Sequence, residues 1–215
     1  MGGTWRTKSM FDLDFPHKEK SFCQLLNESG IETFTFDIDH SSHQEVVTQC
    51  KELILNHKIK NIMGYSYGCL PAIDLSDIVG SIILLDPFSG VNIPHTIMED
   101  SIFYSKADII KIVESESNID DNVKQLYYNS LEECVVRSFI FKKHVQNSYE
   151  EYTSPNKLKT IKCKTFIAFT NSSNQIMRNK HSIFKDVKYY KDASHWILIE
   201  NSRVDLCRDI VERIK

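Results

Sequence analysis

A serine stands between two glycines in the segment Gly64-Tyr65-Ser66-Tyr67-Gly68. A short apolar strand pattern precedes it and a helical pattern follows it, so Ser66 is expected on a sharp strand-to-helix turn. Small residues are needed two positions before and after such a serine, because larger side chains would clash with the neighbouring backbone. The turn lifts the Ser66 hydroxyl above the sheet and aims the Tyr67 N–H at a developing oxyanion. We therefore predict a nucleophilic serine; the alternative is an inert turn.

His195 is the histidine best placed to serve as the base for Ser66. It lies in KDASHWILIEN, between the last predicted strand and the C-terminal helix, and the small neighbours Ala193 and Ser194 leave room for the imidazole. An early serine and a late histidine is also the order found in one large class of serine enzymes. The alternative is a structural histidine that caps its loop. Four other histidines are predicted on surfaces without partners: His17, His43, His57 and His144.

The acid that would orient His195 is harder to find. The loop after the strand KTFIAFT reads NSSNQ over residues 171–175, and none of these side chains carries the charge that stabilises an imidazolium. Asp86 is the predicted acid, because it ends the strand SIILLD at the carboxyl edge of the sheet, one strand along from the serine. The alternative for Asp86 is an Asx-turn at a strand end. Asp192, three residues before His195, is a weaker candidate.

The first residues, Gly2-Gly3-Thr4-Trp5, have the composition of a loop that approaches a substrate. Glycine has no Cβ, so backbone can come close to a bound group there. The N–H of Thr4, or that of Gly3, would complement the N–H of Tyr67 in an oxyanion site. The alternative is a disordered N-terminus.

Strand and helix patterns alternate along the chain, which predicts a single α/β domain over residues 1–215 with a mostly parallel sheet flanked by helices. The apolar run SIILL is typical of a central strand that is buried on both faces. The predicted helices are Lys18–Asn27, Gln44–His57, Tyr67–Leu75 and 202–215. The predicted strands are Ile31–Asp37, 59–64, 81–86, 164–170 and 186–190.

Strand patterns are missing between Gly90 and Leu158, where apolar residues recur at helical spacing. We predict a helical insertion over 91–158 that covers the carboxyl edge of the sheet as a lid. The alternative is a set of ordinary helices packed on the sheet. Aromatic side chains of this segment would offer surface to an apolar acyl chain, unless they simply belong to the core: Phe103, Tyr104, Tyr127, Tyr128, Phe139 and Phe141.

The composition argues against several classes of partner. With a net charge of −3 and no long run of like charge, the chain lacks the basic surface that binds nucleic acid or anionic membrane. Its longest apolar stretch is too short for a membrane span, and no signal peptide is recognisable. The six cysteines show neither paired nor zinc-binding spacing, which favours a reducing cytoplasmic compartment. The oligomeric state stays open.

Taken together, the GYSYG turn, FTFDIDHSS, IILLD and DASHWILIEN resemble the α/β-hydrolase superfamily in order and over nearly the whole chain. Within it, FTFDID, KNIMGYSYG and IILLDPF look most like the thioesterase domains of polyketide and non-ribosomal peptide synthesis. This resemblance implies Asp86 as the acid, a helical lid, no metal or organic cofactor, and a small-molecule acyl thioester, free or carrier-bound, as substrate.

The chain departs from that family at its first strands. The family has a buried strand before the oxyanion loop, which here begins at residue 2. That strand normally lies between the strands that here end at Asp37 and Gly64, and its absence would leave an unpaired edge or a rearranged sheet.

The leading hypothesis is a serine acyl hydrolase that cleaves an ester or thioester through an acyl-serine intermediate. A pseudo-hydrolase that only binds a ligand or partner, and an acyltransferase, are the alternatives.

Overall fold

The computed structural model describes residues 10–13, 15, 19–35, 43–87, 103–104, 106–116, 119–131, 136–137, 154–173, 178–179 and 181–215. The helices are α1 (Phe22–Glu28), α2 (His43–His57), α3 (Cys69–Asp74), α4 (Lys106–Glu116), α5 (Asp121–Ser130), α6 (Pro155–Leu158) and α7 (Arg203–Ile214). The strands are β1 (Asn61–Tyr65), β2 (Ser81–Leu85), β3 (Phe103–Tyr104), β4 (Val136–Arg137), β5 (Lys164–Thr170) and β6 (Asp186–Tyr190).

The main sheet has the order β1-β2-β5-β6, and all three pairings are parallel. Every residue of β2 is buried, in agreement with its uninterrupted apolar sequence. The pairing places Tyr65 beside Leu85 and Leu85 beside Ala168, so β1, β2 and β5 reach the same edge of the sheet with their carboxyl ends. The predicted parallel α/β sheet is confirmed, and residues that follow these strands are brought together.

Two apolar cores lie on the two faces of the sheet. One contains side chains of α1 and α7 together with Trp196, and the other contains side chains of α2, α3 and Leu158. Successive side chains of a strand point to opposite faces of the sheet, so alternate strand residues pack into the two cores. The strand residues that face the first core are Tyr65, Ile83, Leu85, Phe166 and Ala168. Those that face the second core are Ile62, Ile82, Leu84, Ile167 and Phe169.

Two helices have local features that the sequence patterns did not resolve. Helix α1 begins at Phe22, later than predicted, because Ser21 and Gln24 form a capping box that fixes its first turn. In α7, Leu206, Cys207 and Ile210 are buried, whereas Val204 is 43% exposed although it is apolar.

The predicted strand Ile31–Asp37 is wrong for its described part, since residues 31–35 form no regular element. A strand needs a neighbour about 4.8 Å away. Here a cavity of about 150 Å³ lies between residues 31–35 and β1 instead. We call this space the edge cavity; its lining includes Ile31, Phe34, Cys50, Ile54, Ile62 and Met63. Among the described strands, β1 is thus an edge of the sheet.

Within residues 91–158 the structure describes helices α4, α5 and α6. It also contains a short antiparallel pair, β3 with β4, where the sequence predicted no strand. Two-residue strands are too short to produce a detectable period. Tyr127 and Tyr128 are buried, and the Tyr127 ring lies edge-on to Trp196 at 5.4 Å, so these two aromatics belong to the core. The lid role of 91–158 stays a prediction.

In the described parts of the chain, no helix combines the length and apolar composition that crossing a bilayer requires. The cysteines described there are free thiols: Cys23, Cys50, Cys69, Cys163 and Cys207.

Candidate active site

Ser66 lies on a sharp turn between β1 and α3, as predicted. Tyr65 is still extended, and Ser66 takes a positive φ of 55° before the 3₁₀ turn Ser66–Gly68 leads into α3. Such a backbone is unusual for a residue with a side chain; it costs about 1–3 kcal/mol and persists only where the surroundings impose it. A Cβ on Gly64 would lie 2.3 Å from the Gly68 carbonyl oxygen, so only glycine fits there. The Cys69 thiol also donates to the Gly64 carbonyl, at 3.1 Å.

His195 reaches Ser66 across the carboxyl edge of the sheet. The distance from His195 Nε2 to Ser66 Oγ is 3.0 Å, within the range of a hydrogen bond. The backbone at His195 is held twice: its N–H donates to Ser172 Oγ at 2.9 Å, and its carbonyl accepts from the Tyr65 hydroxyl. The Tyr65 and His195 rings lie 5.1 Å apart. The imidazole is therefore fixed in position before any substrate arrives.

Asp86 occupies the other side of the imidazole, where its Oδ2 pairs with His195 Nδ1. It follows β2 with a φ of 41°, and its own N–H donates to the Ala168 carbonyl at 2.7 Å. Its Oδ1 accepts from Ser173 Oγ and, at 3.3 Å, from the Thr170 N–H. The structure therefore brings together the three residues predicted from sequence. Asp192, the weaker candidate, is exposed on the surface.

The pKa of Asp86 is set by opposing effects. Burial of the carboxyl, which is only 3% exposed, raises its pKa. The facing His195 and the hydrogen bonds from Ser173 and Thr170 lower the pKa by more than burial raises it, so the pKa of Asp86 lies below its ordinary value. Asp86 is thus a carboxylate at neutral pH, with the charge that a protonated imidazole needs beside it.

The loop after β5 contributes hydroxyl groups where an acid was sought. Ser172 accepts from the His195 N–H, and Ser173 donates to Asp86. The Thr170 N–H donates to Ser173 Oγ at 3.0 Å, which leaves the hydroxyl hydrogen free to point at the carboxylate. In the sequence these serines stand out only as uncharged groups, and their positioning role was not predicted. The feature of the sequence that could have indicated this role is a pair of serines directly after a central strand.

Glu200 is a second buried carboxyl close to the site and was also missed. It is 8% exposed and accepts from the Ser194 N–H at 3.0 Å and from the Ser194 hydroxyl. Ser194 Oγ in turn accepts from the Trp196 N–H at 3.1 Å. Burial raises the pKa of Glu200, the bonds from Ser194 lower it and the charge of Asp86 raises it again, with a net rise. These hydrogen bonds hold both chain neighbours of His195, Ser194 and Trp196, in place.

Of the predicted oxyanion donors, only Tyr67 lies in a described segment, next to Ser66 in the 3₁₀ turn. Gly3 and Thr4 lie outside the described residues. The Tyr67 side chain is buried and its hydroxyl contacts His43 Nδ1 at 3.2 Å. The prediction that His43 is a surface residue without partners is therefore wrong: α2 begins at this residue, and its ring points towards α3.

No three side chains of the types that ligate metals converge in the segments that the structure describes. The site instead has the parts for proton-coupled nucleophilic attack. A hydroxyl faces one imidazole nitrogen, a carboxylate holds the other, and a backbone N–H follows the serine. With the Nδ1 proton held by Asp86, the lone pair of Nε2 is directed at the Ser66 hydroxyl.

Comparison with solved structures identifies the fold. The chain is similar to a lipase-esterase related protein from Clostridium acetobutylicum (TM-score 0.67, 12% identity, 99% of this chain and 91% of that one). It is also similar to a monoacylglycerol lipase from Paleococcus ferrophilus (TM-score 0.63, 16% identity, 89% and 86% covered). A third similar structure is a serine hydrolase involved in carbazole degradation (TM-score 0.60, 12% identity, 99% and 87% covered).

The chain therefore has the α/β-hydrolase fold, and the fold expected from the sequence resemblance is confirmed. No family model and no curated protein matches the sequence itself. The likeness to thioesterase domains stays a prediction.

Proposed function

We propose that this protein is a serine-dependent acyl hydrolase that cleaves a carboxylic ester or an acyl thioester through an acyl-Ser66 intermediate. The observation that carries the proposal is the continuous contact from Ser66 Oγ to His195 Nε2, at 3.0 Å, and from His195 Nδ1 to the buried Asp86 carboxylate. The esterase and lipase names of similar structures support the same reaction class.

In the first half of the reaction, Ser66 Oγ attacks the carbonyl carbon while His195 Nε2 takes the hydroxyl proton. The negative charge that develops on the carbonyl oxygen is met by the Tyr67 N–H. Asp86 faces the protonated imidazole throughout and stabilises its charge. The tetrahedral intermediate then collapses as His195 returns the proton to the departing alcohol or thiol, which leaves the acyl group on Ser66.

In the second half, water replaces the leaving group. His195 Nε2 takes a proton from the water as its oxygen attacks the acyl carbon, and it then gives that proton to Ser66 Oγ. A carboxylic acid is released and the hydroxyl is restored. Apart from one water molecule, the reaction uses only groups of the site and the substrate, and it returns His195 to its starting protonation state.

The choice between ester and thioester rests on separate arguments. The names of the similar structures favour an ester. The location of Asp86 after β2 supports a thioester, because the sequence resemblance to thioesterase domains implies an acid after this strand. An acyltransferase would use the same site with an alcohol or amine in place of water. The pseudo-hydrolase alternative is disfavoured, because the Ser66–His195 distance already permits proton transfer.

The test is covalent labelling with a fluorophosphonate, together with hydrolysis of a p-nitrophenyl ester and of the N-acetylcysteamine thioester of the same acyl group. We expect labelling that Ser66→Ala abolishes and His195→Ala weakens strongly. Ser182→Ala and His57→Ala are matched controls on exposed residues and should label like the native chain.

The two substrates separate ester from thioester preference, and product analysis with an added alcohol reveals acyl transfer. A folded native chain that neither labels nor hydrolyses either substrate would contradict the proposed function.

A further inference from the structure

A chain of polar side chains lies behind the turn that carries Ser66. The Tyr67 hydroxyl contacts His43 Nδ1 at 3.2 Å, and His43 Nε2 contacts Asp74 Oδ2 at 2.9 Å. Asp74 Oδ1 lies 2.9 Å from Lys157 Nζ. We call these four residues the His43 network. It links the start of α2, the end of α3 and the short helix α6 to the residue that follows Ser66.

The network is largely shielded from water. Tyr67 is 1% exposed, and the side chains of His43 and Asp74 are each 15% exposed. The His43 and Tyr67 rings meet edge-to-face, with an interplanar angle of 87°. Hydrogen bonds in such surroundings hold a defined geometry, because water does not compete freely for the same groups.

The contacts also define where the protons lie. The Asp74 carboxylate only accepts, so His43 Nε2 donates to it, and in the neutral imidazole Nδ1 then offers a lone pair. The Tyr67 hydroxyl therefore donates to Nδ1. Burial raises the pKa of Tyr67, and the charge of Asp74 raises it further, which keeps the phenol protonated and able to donate. Every hydrogen bond from Tyr67 to Asp74 thus has one donor and one acceptor.

This anchor acts on the turn that carries Ser66 and Tyr67. The 3₁₀ turn Ser66–Gly68 has no capping side chain at its start. The Tyr67 N–H is the donor expected to face the oxyanion, and the orientation of that N–H depends on how the residue is held. Fixing the far end of the Tyr67 side chain restricts rotation of its backbone.

We propose that His43 is a positioning residue that holds the Tyr67 side chain and thereby directs the Tyr67 N–H at the oxyanion. This role rests on the proposed function, since it requires a reaction in which an oxyanion forms. His43 acts through Tyr67 and takes no proton from the substrate. Its loss should weaken transition-state binding more than ground-state binding, so kcat should fall while KM changes little.

The test compares His43→Leu, Tyr67→Phe and His43→Gln in ester hydrolysis, with active sites counted by fluorophosphonate titration. Each of the first two variants breaks the Tyr67–His43 bond, and we expect kcat per active site to fall about tenfold, less than for complete loss of an oxyanion donor. His43→Gln keeps one acceptor and one donor and should recover most of the rate. His57→Leu, at the exposed end of the same helix, is the control and should be unchanged.

A second measurement separates positioning from simple support of the fold. A trifluoromethyl ketone forms an oxyanion on Ser66, so its affinity should fall in parallel with kcat in His43→Leu and Tyr67→Phe. An unchanged kcat per active site and unchanged ketone affinity in both variants would overturn the positioning role, even if they melt earlier. Tyr67→Phe alone decides the matter if His43→Leu does not fold. A native chain without any labelling or turnover would overturn the proposed function itself, and this role with it.

Discussion

The two ends of β1 differ in how they are organised. At its carboxyl end, Ser66, His195 and Asp86 are joined by hydrogen bonds that run from a hydroxyl through an imidazole to a carboxylate. Towards its amino end, Ile62 and Met63 border the edge cavity, where an expected strand has not formed. In the described part of the chain, the fold therefore holds an ordered site on β1, β2 and β5 while β1 has a strand partner on one side only.

The distance between these regions leads us to expect that they act independently. A strand rises about 3.3 Å per residue, so the four steps from Ile62 to Ser66 cover roughly 13 Å. The described hydrogen bonds of the Ser66, Asp86 and His195 side chains involve no residue that lines the cavity. Changes at the site should alter turnover, whereas changes at the cavity should alter stability. The following predictions test that division.

Asp86→Asn should have the largest effect on turnover, a loss of roughly 10³–10⁴ in kcat, because it disturbs the tautomer of His195. The amide oxygen is drawn to the two donors Ser173 and Thr170, which turns the NH₂ group towards His195 Nδ1. The imidazole hydrogen then moves to Nε2, which can no longer accept a proton from the serine. Steady-state ester hydrolysis gives the rate, and circular dichroism checks the fold.

Asp192→Asn is the matched control, since Asp192 is the other aspartate near His195 in sequence and is exposed. It should leave kcat unchanged within about twofold. If Asp192→Asn lost more activity than Asp86→Asn, the assignment of the acid would be wrong.

Ser173→Ala should have an intermediate effect, with kcat lower by about five- to tenfold, because Asp86 loses one of its hydrogen-bond donors. The pKa of Asp86 should rise towards its ordinary value, since that donor helps to lower it. A carboxyl whose pKa is lower in the folded than in the unfolded state stabilises the fold above the unfolded-state pKa of about 4. This stabilisation disappears as the pH falls through the folded-state pKa. The variant should therefore be less stable than the native chain by about 1.5–3 kcal/mol at neutral pH, and by less in acid.

Urea unfolding at neutral pH and near pH 3 measures this difference, with the exposed Ser182→Ala as control. A stability difference of the same size at both pH values would mean that the Ser173 hydroxyl does not act on the charge of Asp86.

The sequence predicted the three residues that the structure brings together, because each leaves a local signal: glycines around Ser66, a strand end at Asp86 and a loop before the last helix at His195. It did not predict their supports. Ser173 bonds to a residue 87 positions away, and such a pair has no spacing to recognise. The strand predicted at residues 31–35 is wrong for a related reason. β-branched and aromatic residues suit a strand, but a strand forms only where a neighbouring strand pairs with it.

The smallest effect on turnover is expected at the edge cavity, where Ile54→Ala removes a buried side chain from α2. Ile54 is 4% exposed and Leu55, its neighbour in the same helix, is 58% exposed. Ile54→Ala should lower the free energy of unfolding by about 2–4 kcal/mol, because it enlarges an apolar space that the surroundings do not fill. Leu55→Ala should change it by no more than about 0.5 kcal/mol. Both variants should keep native kcat per active site, as measured by urea unfolding and fluorophosphonate-titrated hydrolysis. If kcat fell in Ile54→Ala but not in Leu55→Ala, the cavity and the site would be coupled through β1, and the division between the two regions would not hold.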